Sequence, residues 1–132
     1  MMVEGMIAVA SRLAPAEALD RLSRIATEKG LTVFARIDHE AGARAIGLDL
    51  RPTALLIFGN AKAGTPVMQA AQTAGIDLPL KVLAWRDADG KDWLGYIDPL
   101  WIGARHGADA KPALTKMAEG LAAIVRQVAE AS

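Results

Sequence analysis

Hydrophobic positions change period several times along this chain, and each change marks an element. Gly5 to Ser11 (GMIAVAS) is short and apolar with Ile7 and Val9 alternating, which predicts a first strand. Pro15 stands where its missing N–H costs a helix nothing, and Gly30 closes the segment, so a helix is predicted between them. Leu19, Leu22, Ile25 and Ala26 form its apolar stripe, while Glu17/Arg21, Asp20/Arg24 and Arg24/Glu28 stand four apart on the outer face. From Leu31 to Asp38 the period drops to two. Leu31, Val33, Ala35 and Ile37 then face one way, and Thr32, Phe34 and Arg36 the other.

A short helix from Glu40 to Ile46, capped by Asp38 or His39, ends at Gly47. Thr53 to Phe58 (TALLIF) is apolar throughout and reads as a central strand covered on both faces. Thr65-Pro66 carries the cap-then-proline signature of a helix start, predicting a helix that runs to Ala74 and stops at Gly75. Leu80 to Arg86 and Asp92 to Asp98 flank Asp89-Gly90, a pair favoured in two-residue hairpin turns. That turn sets Lys81 against Asp98, Leu83 against Tyr96, Trp85 against Leu94 and Arg86 against Trp93. After Pro99 comes an irregular stretch holding Trp101, Arg105 and His106. A last helix spans about Pro112 to Glu130, with Leu114, Met117, Leu121, Ile124 and Val128 as its stripe. The class is α+β: two layers, a twisted and mainly antiparallel sheet with helices packed on one side.

Composition narrows what such a domain does. All 132 residues fit one domain, without repeats or linkers. Hydrophobic residues make up 52% of the chain, an excess that a full core or a subunit interface would absorb. Fifteen basic and fifteen acidic residues leave a net charge of zero, which argues against nucleic acid and against an anionic membrane surface as partners. With no cysteine, disulfides, thiolate metal sites and Cys nucleophiles are excluded. The start shows no signal-peptide pattern and no run approaches the roughly 18 apolar residues of a spanning helix, so the expected address is the cytoplasm.

The loop from Phe58 through Gly59, Asn60, Lys62, Gly64 and Thr65 to Pro66 is the foremost binding candidate. It leaves a buried strand and enters a helix, so free N–H groups and the positive helix end favour an anion there, with Lys62 as a mobile cation. It is not a Walker A loop, because Thr65-Pro66 replaces the required Lys-Ser/Thr. The plainer alternative is an ordinary helix start with a solvated lysine. A weaker acid–base candidate combines His39 with Lys81 and Tyr96, against the plainer readings of a capping histidine and a cross-strand Lys–Asp pair. His39, His106 and Asp98 do not make a recognisable metal-ligand spacing, so neither a metal nor a cofactor is expected.

Three stretches together resemble the bacterial and archaeal domain of unknown function 302. They are GLTVFARIDHEAGA (Gly30 to Ala43), LLIFGNAKAGTPVM (Leu55 to Met68) and DLPLKVLAWRDADGKDWLGYIDP (Asp77 to Pro99). The family pattern has Pro where Ala61 stands. The resemblance implies a TBP-like fold (strand, helix, four strands, helix, with extra short helices) and a homodimer, and it implies no activity. The readings left open are a homodimeric module binding a small, anionic ligand, a small enzyme using His39, Lys81 and Tyr96, and a structural partner subunit.

Overall fold

The computed structural model describes residues 3–132. Its elements are β1 (Met6–Ala10), α1 (Pro15–Glu28), β2 (Thr32–Asp38), α2 (His39–Ala45), β3 (Thr53–Gly59), α3 (Ala61–Ala70), a 3-10 turn (Gln72–Ile76), β4 (Leu80–Arg86), β5 (Asp92–Ile97), α4 (Pro99–His106) and α5 (Lys111–Ala129). The strands form one antiparallel sheet in the order β1-β5-β4-β3-β2. With α2, α3 and α4 set aside as decorations, the order is the expected strand, helix, four strands, helix, and the class is α+β.

Both long helices present the expected stripes to one face of the sheet. Leu19 and Leu22 of α1 and Leu121, Ile124 and Val128 of α5 pack with Leu56, Phe58, Val82, Ala84 and Leu94 in a continuous core. The opposite face is less deeply covered among the described residues. Leu55, Ile57, Leu83 and Trp85 point there, between the buried positions of β3 and β4, and are only half-buried. The run of apolar residues in β3 is therefore covered on one face of the chain and open on the other, not covered on both as its composition implied.

Side chains that bond to the backbone correct the expected local structure at several points. In the hairpin, the Asp87 carboxylate accepts the N–H groups of both Asp89 and Lys91, at 2.9 Å each. Gly90, at φ 80°, takes the left-handed position, and the loop is three residues long rather than two. The register slips by one: Val82 pairs with Tyr96, Ala84 with Leu94, Trp85 with Trp93 and Arg86 with Asp92. A one-residue slip exchanges faces, so Tyr96 and Leu94 join the core, and Trp85 stacks on Trp93 with centroids 6.3 Å apart. Arg86 takes Asp92 in a bidentate pair at 2.8 and 3.0 Å, and Lys91 lies over the Trp93 ring instead.

In β2 the register shifts between Val33 and Ala35, making Phe34 the extra residue of a bulge. Beyond it the alternation reverses. Ala35 and Ile37 turn to the open face, and Arg36, opposite Leu56, reaches α1, where it pairs with Asp20 at 2.5 Å and donates to Ala16 O. Asp20 thus serves the sheet rather than Arg24 of its own helix.

Two helix boundaries also differ from expectation. The Asn60 side chain accepts the Ala63 N–H at 2.7 Å, so α3 begins at Ala61 and leaves Thr65-Pro66 inside it. The stretch after Pro99 is helical, because Asp98 caps Leu100 N, Pro99 occupies the first turn and Gly107 closes the end at φ 63°. Asp98 is consequently a cap and not the partner of Lys81. In α2, Asp38 is the cap, accepting from Ala41 N. No helix among the described residues is long and apolar enough to cross a membrane.

Candidate functional site

Strand β3 delivers the chain to the mouth of α3 at Gly59-Asn60, and two adjoining cavities open there. One, of about 320 Å³, is bounded by Gly59, Asn60 and Gly64 on one side and by Leu78, Pro79 and Leu80 on the other. The second, of about 370 Å³, lies between the same loop and α5, over Phe58, Leu80, Met117 and Leu121. Gly59, Asn60, Ala63, Leu80 and Met117 line both. The bulge in β2 bears on this site directly, since it turns Phe34 to the first cavity.

Of the residues expected to bind a ligand, Gly59, Asn60 and Gly64 line the first cavity, and Gly59, Asn60 and Lys62 the second. Thr65 lines neither, because the earlier helix start carries it out along α3. The Asn60 carboxamide itself occupies the Ala63 N–H. The helix start is therefore partly satisfied from within, and the positive charge at the site comes from side chains. Lys29, Lys62 and Lys116 all line the second cavity, while neither cavity has an Asp or Glu in its wall. None of these lysines enters a salt bridge among the described residues.

The acid–base candidates are not brought together. His39 is exposed at the start of α2. Lys81, opposite Ile57, points to the open face, and Tyr96, opposite Val82, is buried on the helix face. Burial lowers the Lys81 pKa against the opposing charge of Asp77, and its ammonium donates to the carbonyls of Asp77 and Pro79 at 3.2 and 2.9 Å. Burial, aided by Asp98 and opposed by Arg126, raises that of the Tyr96 phenol. No trio of potential metal-ligating side chains occurs among the described residues.

One polar cluster escaped the sequence. His106 Nε2 lies 2.5 Å from Asp77 Oδ2, its Nδ1 lies 2.9 Å from Thr73 Oγ1, and Arg105 grips both oxygens of Asp77 at 2.9 and 2.8 Å. Burial would raise the Asp77 pKa, but the bonds and charges of His106 and Arg105 together hold it below the ordinary aspartate value. Thr73, His106 and Asp77 line neither of these two cavities, and their hydroxyl–imidazole–carboxylate contacts tie the end of α4 to the segment after the 3-10 turn. They fix Asp77 at the head of Leu78-Pro79-Leu80, the wall of the first cavity. The sequence predicts the stretch holding Arg105 and His106 to be irregular, so their place in the last turn of a helix is not visible in it, and nothing local points to Asp77.

Comparison with known proteins agrees with this architecture. A crystal structure of an uncharacterized conserved DUF302 protein from Bacillus stearothermophilus superposes with a TM-score of 0.75 at 19% identity, covering 97% of this chain and 98% of that one. Among curated proteins, the fluoride-specific ion channels FluC 1 of Brucella suis biovar 1 (strain 1330) and FluC 1 of Brucella abortus biovar 1 (strain 9-941) are each 42% identical over 127 residues, 95% of this chain. The matched region is 50% of the first and 47% of the second, so the chain spans about half the length of these relatives. The model of the family described as "Domain of unknown function DUF302" matches residues 7–129, and the chain belongs to that family.

Proposed function

We propose that this chain is a homodimeric, cytoplasmic binding module for a small, anionic ligand held between the β3–α3 loop and α5. The supporting observation is the pair of adjoining cavities around Gly59 and Asn60, walled by apolar groups and free of carboxylates. A small concave site with few, placed polar groups is what a binding module requires. The enzyme reading needs His39, Lys81 and Tyr96 in one pocket, and they lie on separate surfaces. Cavities beside Asn60 also weigh against a purely structural subunit. The dimer is supported by the open sheet face, where Leu55, Ile57, Leu83 and Trp85 are only half-buried.

Native mass spectrometry on protein purified gently from its own cytosol tests this reading. The expected result is a dimer mass carrying a small-molecule increment, lost when Ala63, which lines both cavities, becomes Trp. An increment that survives Ala63→Trp would place the ligand elsewhere and overturn the assignment.

A second reading comes from the curated relatives. An ion channel needs membrane-spanning segments, and this chain matches only about half of those proteins without a helix of that kind among its described residues. The reading is that this chain is an accessory domain working with a membrane anion channel. Deleting its gene should then sensitise the host to fluoride. Unchanged growth across a fluoride series would count against it.

A further inference from the structure

We infer that the ligand is amphipathic: an apolar body of about ten non-hydrogen atoms bearing a single anionic head, of the medium-chain carboxylate class. This inference rests on the cleft being a ligand site, as proposed above. Three observations lead to it.

The first is the character of the walls. Phe58, Leu80, Met117, Leu121 and Ile124 line the cavity nearer α5, and Met68, Leu78 and Pro79 the other, with Asn60 alone supplying a neutral polar side chain to both. A hydrophilic anion such as phosphate or acetate would gain little from such walls and would lose its hydration. An apolar body gains by being removed from water at every such contact.

The second is the placement of charge. Lys29 follows α1, Lys62 is in the first turn of α3 and Lys116 lies on α5, so three separate stretches of the chain bring lysines to the wall of one cavity. Long lysine stems lie along apolar surface while their heads stay in water, which suits a head group at the mouth and not deep inside. With no acidic residue in either wall, the complementarity is to an anion.

The third is size. At about 30 Å³ for each small group, the first cavity, of about 320 Å³, holds about ten methylene-sized groups. Leu80 and Met117 stand in both walls. Met117 is the adaptable member, because an unbranched thioether repacks readily around a chain. A head at the lysines with its tail passing Met117 uses both cavities at once.

The test is equilibrium dialysis of labelled decanoate and of decanol, its neutral counterpart, each at submillimolar concentration against the full chain. Decanoate should bind about tenfold more tightly than decanol, and added salt should erode that preference. In the Lys62→Gln/Lys116→Gln variant, whose altered residues are exposed, the melting temperature should hold while decanoate falls to the level of decanol. Equal binding of decanoate and decanol to the unaltered chain would overturn the anionic class and leave the cleft as an apolar site. Binding of neither, or binding of both untouched by Ala63→Trp, would overturn the cleft itself as the ligand site.

Discussion

His106 Nε2 and Asp77 Oδ2 stand 2.5 Å apart across 29 residues of sequence, tying the end of α4 to the segment that walls the cleft. Asp77 also holds Arg105, and these partners keep its carboxyl below the ordinary aspartate value of about 3.9. A carboxylate depressed in the folded state stabilises that state above its unfolded pKa, and the contribution is lost as pH falls through the folded value. The melting temperature is therefore expected to fall more steeply below about pH 4 in the natural chain than in an Asp77→Asn variant. The two curves should converge as the medium becomes more acidic. Thermal melts between neutral and strongly acidic pH check this, and parallel curves would contradict it.

Ala61 is the first residue of α3, and Asn60 before it is extended, at φ −152° and ψ 155°. Both features suit proline at position 61: the first helical turn does not use that N–H, and the residue before a proline prefers extended backbone. Ala61→Pro is expected to stabilise the chain by about 0.4–1 kcal/mol by restricting the unfolded ensemble. Urea denaturation measures it. A loss of stability would mean that the loop leaves β3 by a different path.

What the sequence revealed, and what it hid, follows from the range of the forces involved. The stripes of α1 and α5 were legible because burial imposes a 3.6-residue period over many turns. Leu19, Leu22, Leu121 and Ile124 are all in the core. The hairpin was legible as a hairpin but not in register. Two-residue and three-residue loops both give plausible cross-strand pairs, and the choice lay with the Asp87 carboxylate and its bonds to Asp89 and Lys91. Phe34 gave no sign of a bulge, because a bulge changes facing and not composition. At the candidate site, local loop chemistry pointed to Gly59, Asn60, Lys62 and Gly64, which line the two cavities. Lys29, Lys116 and Met117 come from elements far along the chain, and only the tertiary fold brings them to the same cleft.

Gly95 lies beneath Trp85 on the open face of the sheet. A Cβ there would stand 2.8 Å from the Trp85 ring and would also strike Met6. Met6 is flexible enough to withdraw, but the indole is rigid and already stacked on Trp93. Gly95→Ala is expected to destabilise the chain by about 1–3 kcal/mol, the ordinary range for overpacking. A change in the near-ultraviolet signal of the tryptophans should accompany it. Unchanged stability would show that the Trp85 ring can leave its place over Gly95 at little cost.

The open sheet face also bears on assembly. Strands about 4.8 Å apart, rising about 3.3 Å per residue, give a five-stranded face of only about 500 Å² in plan. A stable interface takes about 800 Å² from each partner, so a dimer built on this face has to recruit neighbouring apolar surface. The connection into β3 offers it: Ile46, Leu48 and Leu50 are 73%, 60% and 45% exposed. Leu83, opposite Leu55 near the middle of the sheet, is the position where a charge would do most harm to such a contact and least to the core on the other side. On the proposed dimer, Leu83→Glu is expected to yield a folded monomer at concentrations where the natural chain would associate, and Leu48→Ser to weaken that association without abolishing it. Sedimentation equilibrium distinguishes these states, with circular dichroism confirming that the variants are folded. A Leu83→Glu chain that dimerises as tightly as the natural one would remove the open face from the interface, whatever the assembly proves to be.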